Sequence, residues 1–169
     1  MSHATTPSRF TVLEAHTAAE QVAACEVQFA VYVGDGYVDA ERAAANLKPE
    51  TLANGGTQLI ACRPDGAVVG DVVYLHEGSA LQQVAVPGER EIRMLGVARE
   101  ARGEGVGEAL VRNCIDRARS DGATALVLWT RPTMEAAQRL YARLGFTRTT
   151  DRDMPDERGF TRMVYAYVC

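Results

Sequence analysis

The residues best suited to chemistry form a glycine-rich segment near the middle of the chain, residues 102–107 (R-G-E-G-V-G). An apolar run precedes it at 91–97, and a helical pattern of apolar residues follows from 108 to 118. The N-terminus of a helix carries unpaired N–H groups and a partial positive charge. Glycines allow the backbone to approach a phosphate closely. The segment therefore predicts a binding site for a phosphorylated ligand.

Two common phosphate-binding motifs do not fit this segment. A P-loop requires Lys followed by Ser or Thr after its last glycine, whereas Gly107 is followed by Glu108 and Ala109. The dinucleotide fingerprint requires G-x-G-x-x-G and an acidic residue at the end of the next strand. Here the spacing is G-x-G-x-G, and the next apolar run ends in Trp129 and Thr130. The sequence therefore argues against a nucleotide triphosphatase and against a dinucleotide-dependent enzyme.

A third motif, Arg/Gln-x-x-Gly-x-Gly/Ala, is matched in full by Arg102, Gly105 and Gly107. A tight strand-to-helix turn that binds nothing is the alternative for so short a pattern. A second segment, residues 137–146, matches A-x-x-L-Y-x-x-L-G-F at every fixed position. Its apolar residues share one helical face, and Gly145 stands where a left-handed residue ends a helix.

Together, in this order and at this separation, the two segments resemble the cofactor-binding segments of the GNAT superfamily of N-acetyltransferases. The resemblance is strong over residues 91–146 and otherwise rests on the order of elements. It implies an α/β fold: one GNAT-like domain with a mixed sheet of about seven strands, splayed between its central strands and flanked by about four helices. It also implies transfer of the acetyl group of acetyl-CoA to a primary amine of a small molecule or protein by direct attack.

By resemblance, acetyl-CoA is a co-substrate held by the strand, the loop and the last helix, through Leu95, Gly96, Val97, Arg102, Gly103, Glu104, Gly105, Val106, Gly107, Thr133, Ala137 and Tyr141. A glycine inside a strand often marks a bulge, so Gly96 predicts the point where the strand leaves its neighbour. The N–H near Val97 is the candidate oxyanion donor. Met134 replaces the asparagine common in the family, which leaves Thr133 as a substitute contact or as a helix N-cap.

Tyr141 and Glu91 are the predicted catalytic residues. By resemblance, the Tyr141 hydroxyl protonates the departing sulfur, although the side chain could instead serve only to pack the core. Glu91 matches the position where some relatives carry a base, and a carboxylate beside a partly dry cleft can take the proton of an ammonium group. A salt bridge with Arg90 or Arg93, with ordered water acting as the base, is the alternative.

We expect the first half of the chain to bind the acceptor. The candidate substrate residues there are Asp35, Tyr37, Asp71 and Tyr74. Acidic side chains there would suit a cationic amine, and a solvated helix cap is the alternative explanation for most of them. Two alternatives to the enzyme stay open. One is a regulatory module that binds acyl-CoA without catalysis, and the other is an acyltransferase that uses a different acyl-CoA.

The elements that must position these residues alternate along the chain. The predicted strands are 10–14, 57–62, 67–75, 91–97, 124–130, 147–150 and 162–168, and the predicted helices are 18–33, 39–46, 105–120 and the segment that ends at 144. Thr17 and Glu20 form a predicted capping box. The apolar stripe of the first helix is predicted from Val22, Cys25, Phe29 and Tyr32. Residues 54–56 are predicted as loop, and 151–159 as a polar turn.

Composition limits which classes of function and partner remain. The chain has 169 residues, 47% hydrophobic content and a net charge of -4. It has no basic patch interleaved with aromatic residues, which argues against nucleic acid as a partner, and no apolar run of membrane-spanning length. The four cysteines lack C-x-x-C spacing and the three histidines stand far apart, so we expect free thiols, no metal and a cytoplasmic location. We expect a disordered arm over 1–9, one domain over 10–169, and a monomer or homodimer.

Overall fold

A computed structural model of the protein describes residues 9–169, so the predicted arm lies outside the described residues except for Arg9. The strands are β1 (Thr11–Glu14), β2 (Gly56–Cys62), β3 (Val68–Leu75), β4 (Glu89–Val97), β5 (Ala125–Thr130), β6 (Thr147–Arg148), β7 (Met154–Pro155) and β8 (Thr161–Val168). The helices are α1 (Ala18–Gly34), α2 (Ala40–Asn46), α3 (Pro49–Gly55), α4 (Val106–Ser120) and α5 (Glu135–Arg143).

The strands form one mixed sheet in the order β1-β2-β3-β4-β5-β8-β6, and β7 pairs with β8. Every pair is antiparallel except β4 and β5, which run parallel. A parallel pair requires a long crossover connection, which here contains α4. The α/β fold class and the mixed sheet are confirmed, with eight strands and five helices in residues 9–169 where about seven and four were expected.

The central pair is joined only at its beginning. Residues Glu89–Glu91 of β4 pair with Ala125–Val127 of β5, and no pairing continues beyond them. Among the described residues, the edge of β4 that faces β5 therefore has no strand partner from residue 92 to residue 97. This confirms the predicted splay of the central strands.

A β-bulge in β4 accompanies the splay. Arg93 pairs with Val73 and Gly96 with Asp71, so two residues of β4, Met94 and Leu95, face the single residue between their partners. Met94 has φ 60°, and it is the only non-glycine residue with positive φ among residues 9–169. A bulge bends its strand and increases the local twist, which turns β4 away from β5.

The bulge was predicted at Gly96 and lies two residues earlier. A Cβ at Gly96 would lie 3.4 Å from Asp71 Oδ1 and 3.8 Å from the Gln28 Cα, which is ordinary van der Waals contact. Neither the bulge nor the packing therefore requires glycine at position 96.

The sheet has one long helix on each face. α4 buries an apolar stripe against β3 and β4, made of Val106, Leu110, Val111, Cys114, Ile115 and Ala118. α1 covers the opposite face and begins at the predicted capping box: Thr17 Oγ1 accepts from the Glu20 N–H, and Glu20 Oε2 accepts from the Thr17 N–H. The predicted apolar stripe of α1 is confirmed at Cys25, while Phe29 and Tyr32 are partly buried. It is wrong at Val22, which is 46% exposed, and it missed the buried Ala24 and Gln28.

Three short elements differ from the sequence prediction. Residues 49–55 form α3 where the chain was expected to leave a helix and enter a loop. Pro49 occupies the first turn, where its missing N–H costs no hydrogen bond. The strand expected over 147–150 stops at Arg148, and the turn expected over 151–159 contains β7. Two-residue strands carry too little pattern to be found from sequence.

The four cysteines form no disulfide bond. Cys25 and Cys114 are buried, Cys62 is partly buried and Cys169 is exposed, and all four are free thiols. Within residues 9–169, no helix combines the length and the apolar character needed to cross a bilayer. In the same range, no group of three or more His, Cys, Asp or Glu side chains is arranged to hold a metal ion.

Candidate active site

The N-terminus of α4 is an open cluster of backbone donors. Gly103 and Gly105 have φ of 80° and 85°, in the left-handed region that favours glycine. Gly105 is the N-cap of α4, and no side chain caps the helix. Among the described residues, no acceptor is found for the N–H groups of Gly103, Gly105 or residues 106–108. A Cβ added at Gly103 or Gly105 would meet no atom within 4 Å, so the space before these donors is open, as an anion site at a helix N-terminus requires.

Gly107 has a packing role inside the first turn of α4. A Cβ at this position would lie 3.3 Å from Leu140 Cδ2 and 3.6 Å from Val97 Cγ2. Val106 is 1% exposed and packs in the main core. Close packing therefore sets the N-terminus of α4 against both β4 and α5, the two other elements with predicted cofactor contacts.

The charged residues of the loop are engaged with neighbouring elements. Arg102 donates from Nη2 to Asp35 at 2.6 Å and from Nε to the Val97 carbonyl at 3.3 Å. Glu104 accepts two hydrogen bonds from Arg63, at 2.6 and 3.0 Å. Burial by itself raises the pKa of Asp35, but hydrogen bonds and positive charge from Arg102 and Arg99 outweigh it, and the pKa is lowered. Asp35 is therefore an ionised partner of the loop.

A cavity of about 410 Å³ lies where β4 and β5 separate. Residues from the bulge, the end of β5 and α5 form its inner wall, and residues from α1, α2 and the β7–β8 turn form its outer wall. The inner wall includes Met94, Leu95, Leu128, Trp129, Thr130, Met134, Ala137 and Tyr141, and the outer wall includes Tyr32, Val38, Arg42, Ala43, Asn46, Leu47, Arg158 and Arg162.

Two side chains of α1 hold the bulge from the face opposite α4. Gln28 Nε2 donates to the Met94 carbonyl at 3.2 Å, and the Tyr32 hydroxyl donates to the Leu95 carbonyl at 3.5 Å. Gln28 also donates to Asp71, which is fully buried beneath the bulge. The local backbone of β4 is therefore fixed by hydrogen bonds, so its free edge keeps a defined shape without a strand partner.

Tyr141 lies at the inner end of the cavity. The side chain is 6% exposed and packs against Phe146 and Tyr165, with ring centroids 5.7 and 6.1 Å away. Its hydroxyl makes no hydrogen bond to any residue in the range 9–169. Burial raises the pKa of Tyr141. At neutral pH the side chain therefore keeps its proton and has an unused donor at the cavity wall.

Glu91 is fully buried and anchors a loop. Its Oε2 accepts three backbone N–H groups of residues 83–85, at 2.9, 3.0 and 3.0 Å. Its Oε1 has no partner among the described residues. The alternative salt bridge is not formed, because Arg90 pairs with Glu77 and Asp121 while Arg93 donates to the Leu81 carbonyl. Glu91 does not line the cavity.

The four predicted acceptor residues are not brought together, and none of them lines the cavity. Asp35 lies beside the glycine-rich loop, and Asp71 is buried beneath the bulge. Tyr74 faces the α4 side of the sheet, where its hydroxyl donates to Asp121 at 2.7 Å. Tyr37 lies nearest, because it packs against Tyr32, a residue of the cavity wall, at 6.2 Å between ring centroids.

Thr133 is exposed and lies outside the cavity lining. The N-cap of α5 is Met134, which makes no side-chain capping bond, and the Thr130 hydroxyl donates to the Met134 sulfur at 3.4 Å. The N-cap alternative for Thr133 is therefore wrong.

The arginines that line the cavity were not predicted as site residues from the sequence. Five arginine side chains line it, from Arg42, Arg93, Arg131, Arg158 and Arg162, and no Asp or Glu does. The five belong to separate elements and form no run in the sequence. Only the fold reveals this charge.

Comparison with known proteins gives consistent findings. The family model described as Acetyltransferase (GNAT) family matches residues 15–146. Mycothiol acetyltransferase of Arthrobacter sp. (strain FB24) is 31% identical over 128 residues, which cover 75% of this chain and 38% of the relative. N-acetyltransferase 8 of Rattus norvegicus is 29% identical over 112 residues, which cover 65% and 48%. The chain thus spans less than half the length of these curated relatives.

Solved structures share the fold. A GNAT-family acetyltransferase of Staphylococcus aureus Mu50 superposes with a TM-score of 0.71 at 15% identity, covering 94% of this chain and 98% of that one. The structure of yncA from Salmonella typhimurium with its cofactor acetyl-CoA gives 0.68 at 22% identity, covering 95% and 94%. At these identities the similarity is one of architecture.

Proposed function

The chain belongs to the GNAT family of acetyltransferases, and from that membership and the geometry of the site we propose that it transfers the acetyl group of acetyl-CoA to a primary amine by direct attack. One observation carries the proposal. The open donors at the N-terminus of α4 lie beside Val97, at one end of the free edge of β4, and Met94 and Leu95 of that edge line the cavity that Tyr141 also lines.

Backbone groups would bind acetyl-CoA. The free N–H groups of Gly103, Gly105 and residues 106–108 would hold the diphosphate, because they are donors at or beside a helix N-terminus. The free edge of Leu95, Gly96 and Val97 would pair with amides of the extended arm, as an added strand does. When bound, acetyl-CoA would supply the acetyl thioester. The engaged side chains of Arg102 and Glu104 would shape the loop, and the Val97 N–H stays the candidate oxyanion donor.

The Tyr141 hydroxyl is our candidate general acid. Its proton is retained at neutral pH and its oxygen has no competing partner among residues 9–169. In this role it hydrogen-bonds the sulfur and protonates it as negative charge develops during departure. Ala137, one turn earlier on α5, provides a small side chain beside that position.

Deprotonation of the amine is assigned to Glu91 through a water, or to ordered water alone. Glu91 Oε1 has no described partner, but the residue stands behind the cavity wall rather than in it. A base must reach its proton directly or through one water. Gln83, whose N–H bonds Glu91 and whose side chain lines the cavity, marks the shortest route between them.

The test is release of free CoA from acetyl-CoA, measured with a panel of amines. Acetylated product and stoichiometric thiol with at least one amine would support the proposal. Tight binding of acetyl-CoA without turnover of any amine would contradict it and favour a regulatory module that binds acyl-CoA.

A further inference from the structure

The acceptor end of the cavity is strongly basic. We call Arg93, Arg131, Arg158 and Arg162 the arginine cluster, and all four line the cavity. They come from β4, from the residue after β5, from the β7–β8 turn and from β8. The net charge of the chain is -4, so this patch runs against the overall charge.

The cluster is not neutralised by the protein. Asp156, which is 6% exposed, is the one carboxylate that pairs with it among the described residues. It accepts from Arg158 at 2.6 and 2.8 Å and from Arg162 at 2.8 Å. Arg93 and Arg131 form no ion pair within residues 9–169. The buried carboxylate of Glu91 also acts on Arg93, so two acids against four guanidinium groups leave an excess of two positive charges.

The guanidinium groups are held in place by neighbours that leave donors free. Arg131 lies over the Phe160 ring at 4.2 Å, and Arg162 lies over the Trp129 ring at 5.0 Å. Arg93 uses Nη1 to bond the Leu81 carbonyl at 3.1 Å. Stacking on aromatic faces orients an arginine without using its hydrogen bonds. The cluster is therefore prepared to bind an anion at a low entropic cost.

The groups also repel one another. Burial, and then the charge of Arg158, lowers the pKa of Arg131, and Asp156 opposes this in part. Burial also lowers the pKa of Arg93, where the charge of Glu91 opposes the shift and the charges of Arg162 and Arg158 add to it. Arginine stays protonated at neutral pH despite such shifts. A bound anion would relieve this repulsion.

We propose that the acetyl acceptor is a small amine that also carries an anionic group, a carboxylate or a phosphate, and that Arg93 and Arg131 bind that group. The inference rests on the proposed acetyltransferase function, because it assigns the acceptor end of the same cavity. A volume of about 410 Å³ is in the usual range for small-molecule sites, about 300–1,000 Å³.

The same charge affects the reacting amine. A positive field disfavours an ammonium group and favours the neutral, nucleophilic form. The arginine cluster therefore reduces the need for a dedicated base in the cavity. It also replaces the expectation, drawn from the acidic residues of the first half, that the acceptor is a simple cation.

Matched pairs of amines test the inference. Glycine against glycinamide, and O-phosphoethanolamine against ethanolamine, keep the primary amine and remove the only anionic group. We expect the acidic member to have the higher kcat/KM by roughly tenfold or more, and its KM to rise with ionic strength because salt screens the attraction. Calorimetric binding of the same pairs in the presence of CoA provides a readout that does not depend on turnover.

The outcomes separate the two proposals. Acetyl transfer that prefers neutral or cationic amines, or equal binding within every pair, would overturn the anionic acceptor and leave the acetyltransferase proposal standing. Binding of the acidic members without any turnover would support the anion site and count against the acetyltransferase proposal.

Substitution of single arginines tests which residues bind the anionic group. Arg131→Gln and Arg93→Gln should each weaken binding of the acidic member by roughly tenfold to a hundredfold and leave acetyl-CoA affinity unchanged. Arg139→Gln is the matched control, since Arg139 lies on α5 with its side chain 70% exposed and outside the cavity. Preference for the acidic member that persists in both cluster variants would overturn the assignment.

Discussion

The Tyr141 hydroxyl has one testable role, donation of a proton to the departing sulfur. Tyr141→Phe removes the donor and keeps the ring that packs against Phe146 and Tyr165. Because general acids typically contribute about 10²–10⁴-fold, we expect kcat to fall by at least about a hundredfold. The dissociation constant of acetyl-CoA, measured by calorimetry, should change little. Activity equal to that of the wild type would remove the acid role.

Asp71 gives a prediction about stability and pH. The side chain is fully buried, and burial raises its pKa well above the ordinary value. The unfolded chain loses this proton near pH 4, whereas the folded protein retains it to higher pH. The free energy of unfolding therefore falls as pH rises between the two pKa values.

Asp71→Asn keeps an oxygen that can accept from Gln28 and removes the titration. In urea unfolding at a series of pH values, the variant should gain stability relative to the wild type as the pH rises from about 4 to 7. Asp116→Asn, at a side chain 78% exposed, is the control. Parallel curves for Asp71→Asn and the wild type would contradict a raised pKa.

The N-terminus of α4 is tested by a charge placed before its free donors. Gly105→Glu introduces a carboxylate at φ 85° and Gly122→Glu introduces one at φ 69°, and neither new Cβ meets an atom within 4 Å. The two variants should pay a similar backbone cost, about 1–2 kcal/mol. Only Gly105→Glu should weaken acetyl-CoA binding, by more than about a hundredfold. Equal affinity of the two variants in calorimetry would contradict a diphosphate site at α4.

The two halves of the sheet meet through three residue pairs of β4 and β5. A ligand along the free edge of β4 that also reaches α4 and α5 would join the halves and bind only the folded state. At a hundred times its dissociation constant such a ligand adds about 2.7 kcal/mol, which corresponds to a rise in Tm of roughly 5–11 °C for a chain of this size. Differential scanning fluorimetry with acetyl-CoA measures this rise.

Hydrogen exchange would show which part of the chain acetyl-CoA binds. The Val97 amide should become protected when acetyl-CoA binds, because the Ala98 N–H bonds Val69 of β3 and the preceding N–H of a strand points to the opposite edge, which faces the gap. Gly105→Glu serves as the control and should show neither the rise in Tm nor the protection. A full thermal shift in that variant would indicate binding elsewhere.

Most of the framework was readable from local pattern. The capping box at Thr17 and Glu20, the apolar stripe of α4 and the glycine after α5 each depend on residues within one or two turns. Local signals also misled. Pro49 suggested the end of a helix but begins α3, because proline suits the first turn as well as the residue after the last.

The position of the bulge near Gly96 and the arginine cluster could not be predicted from local sequence pattern. Glycine in a strand predicted a bulge, but the bulge lies at Met94, held by hydrogen bonds from Gln28 on a helix more than sixty residues earlier. The glycine-rich loop could be found in the sequence because its donors are adjacent backbone groups. The charge of the cavity could not, because residues as distant as Arg93 and Arg162 meet only when β4, β5 and β8 are assembled in one sheet.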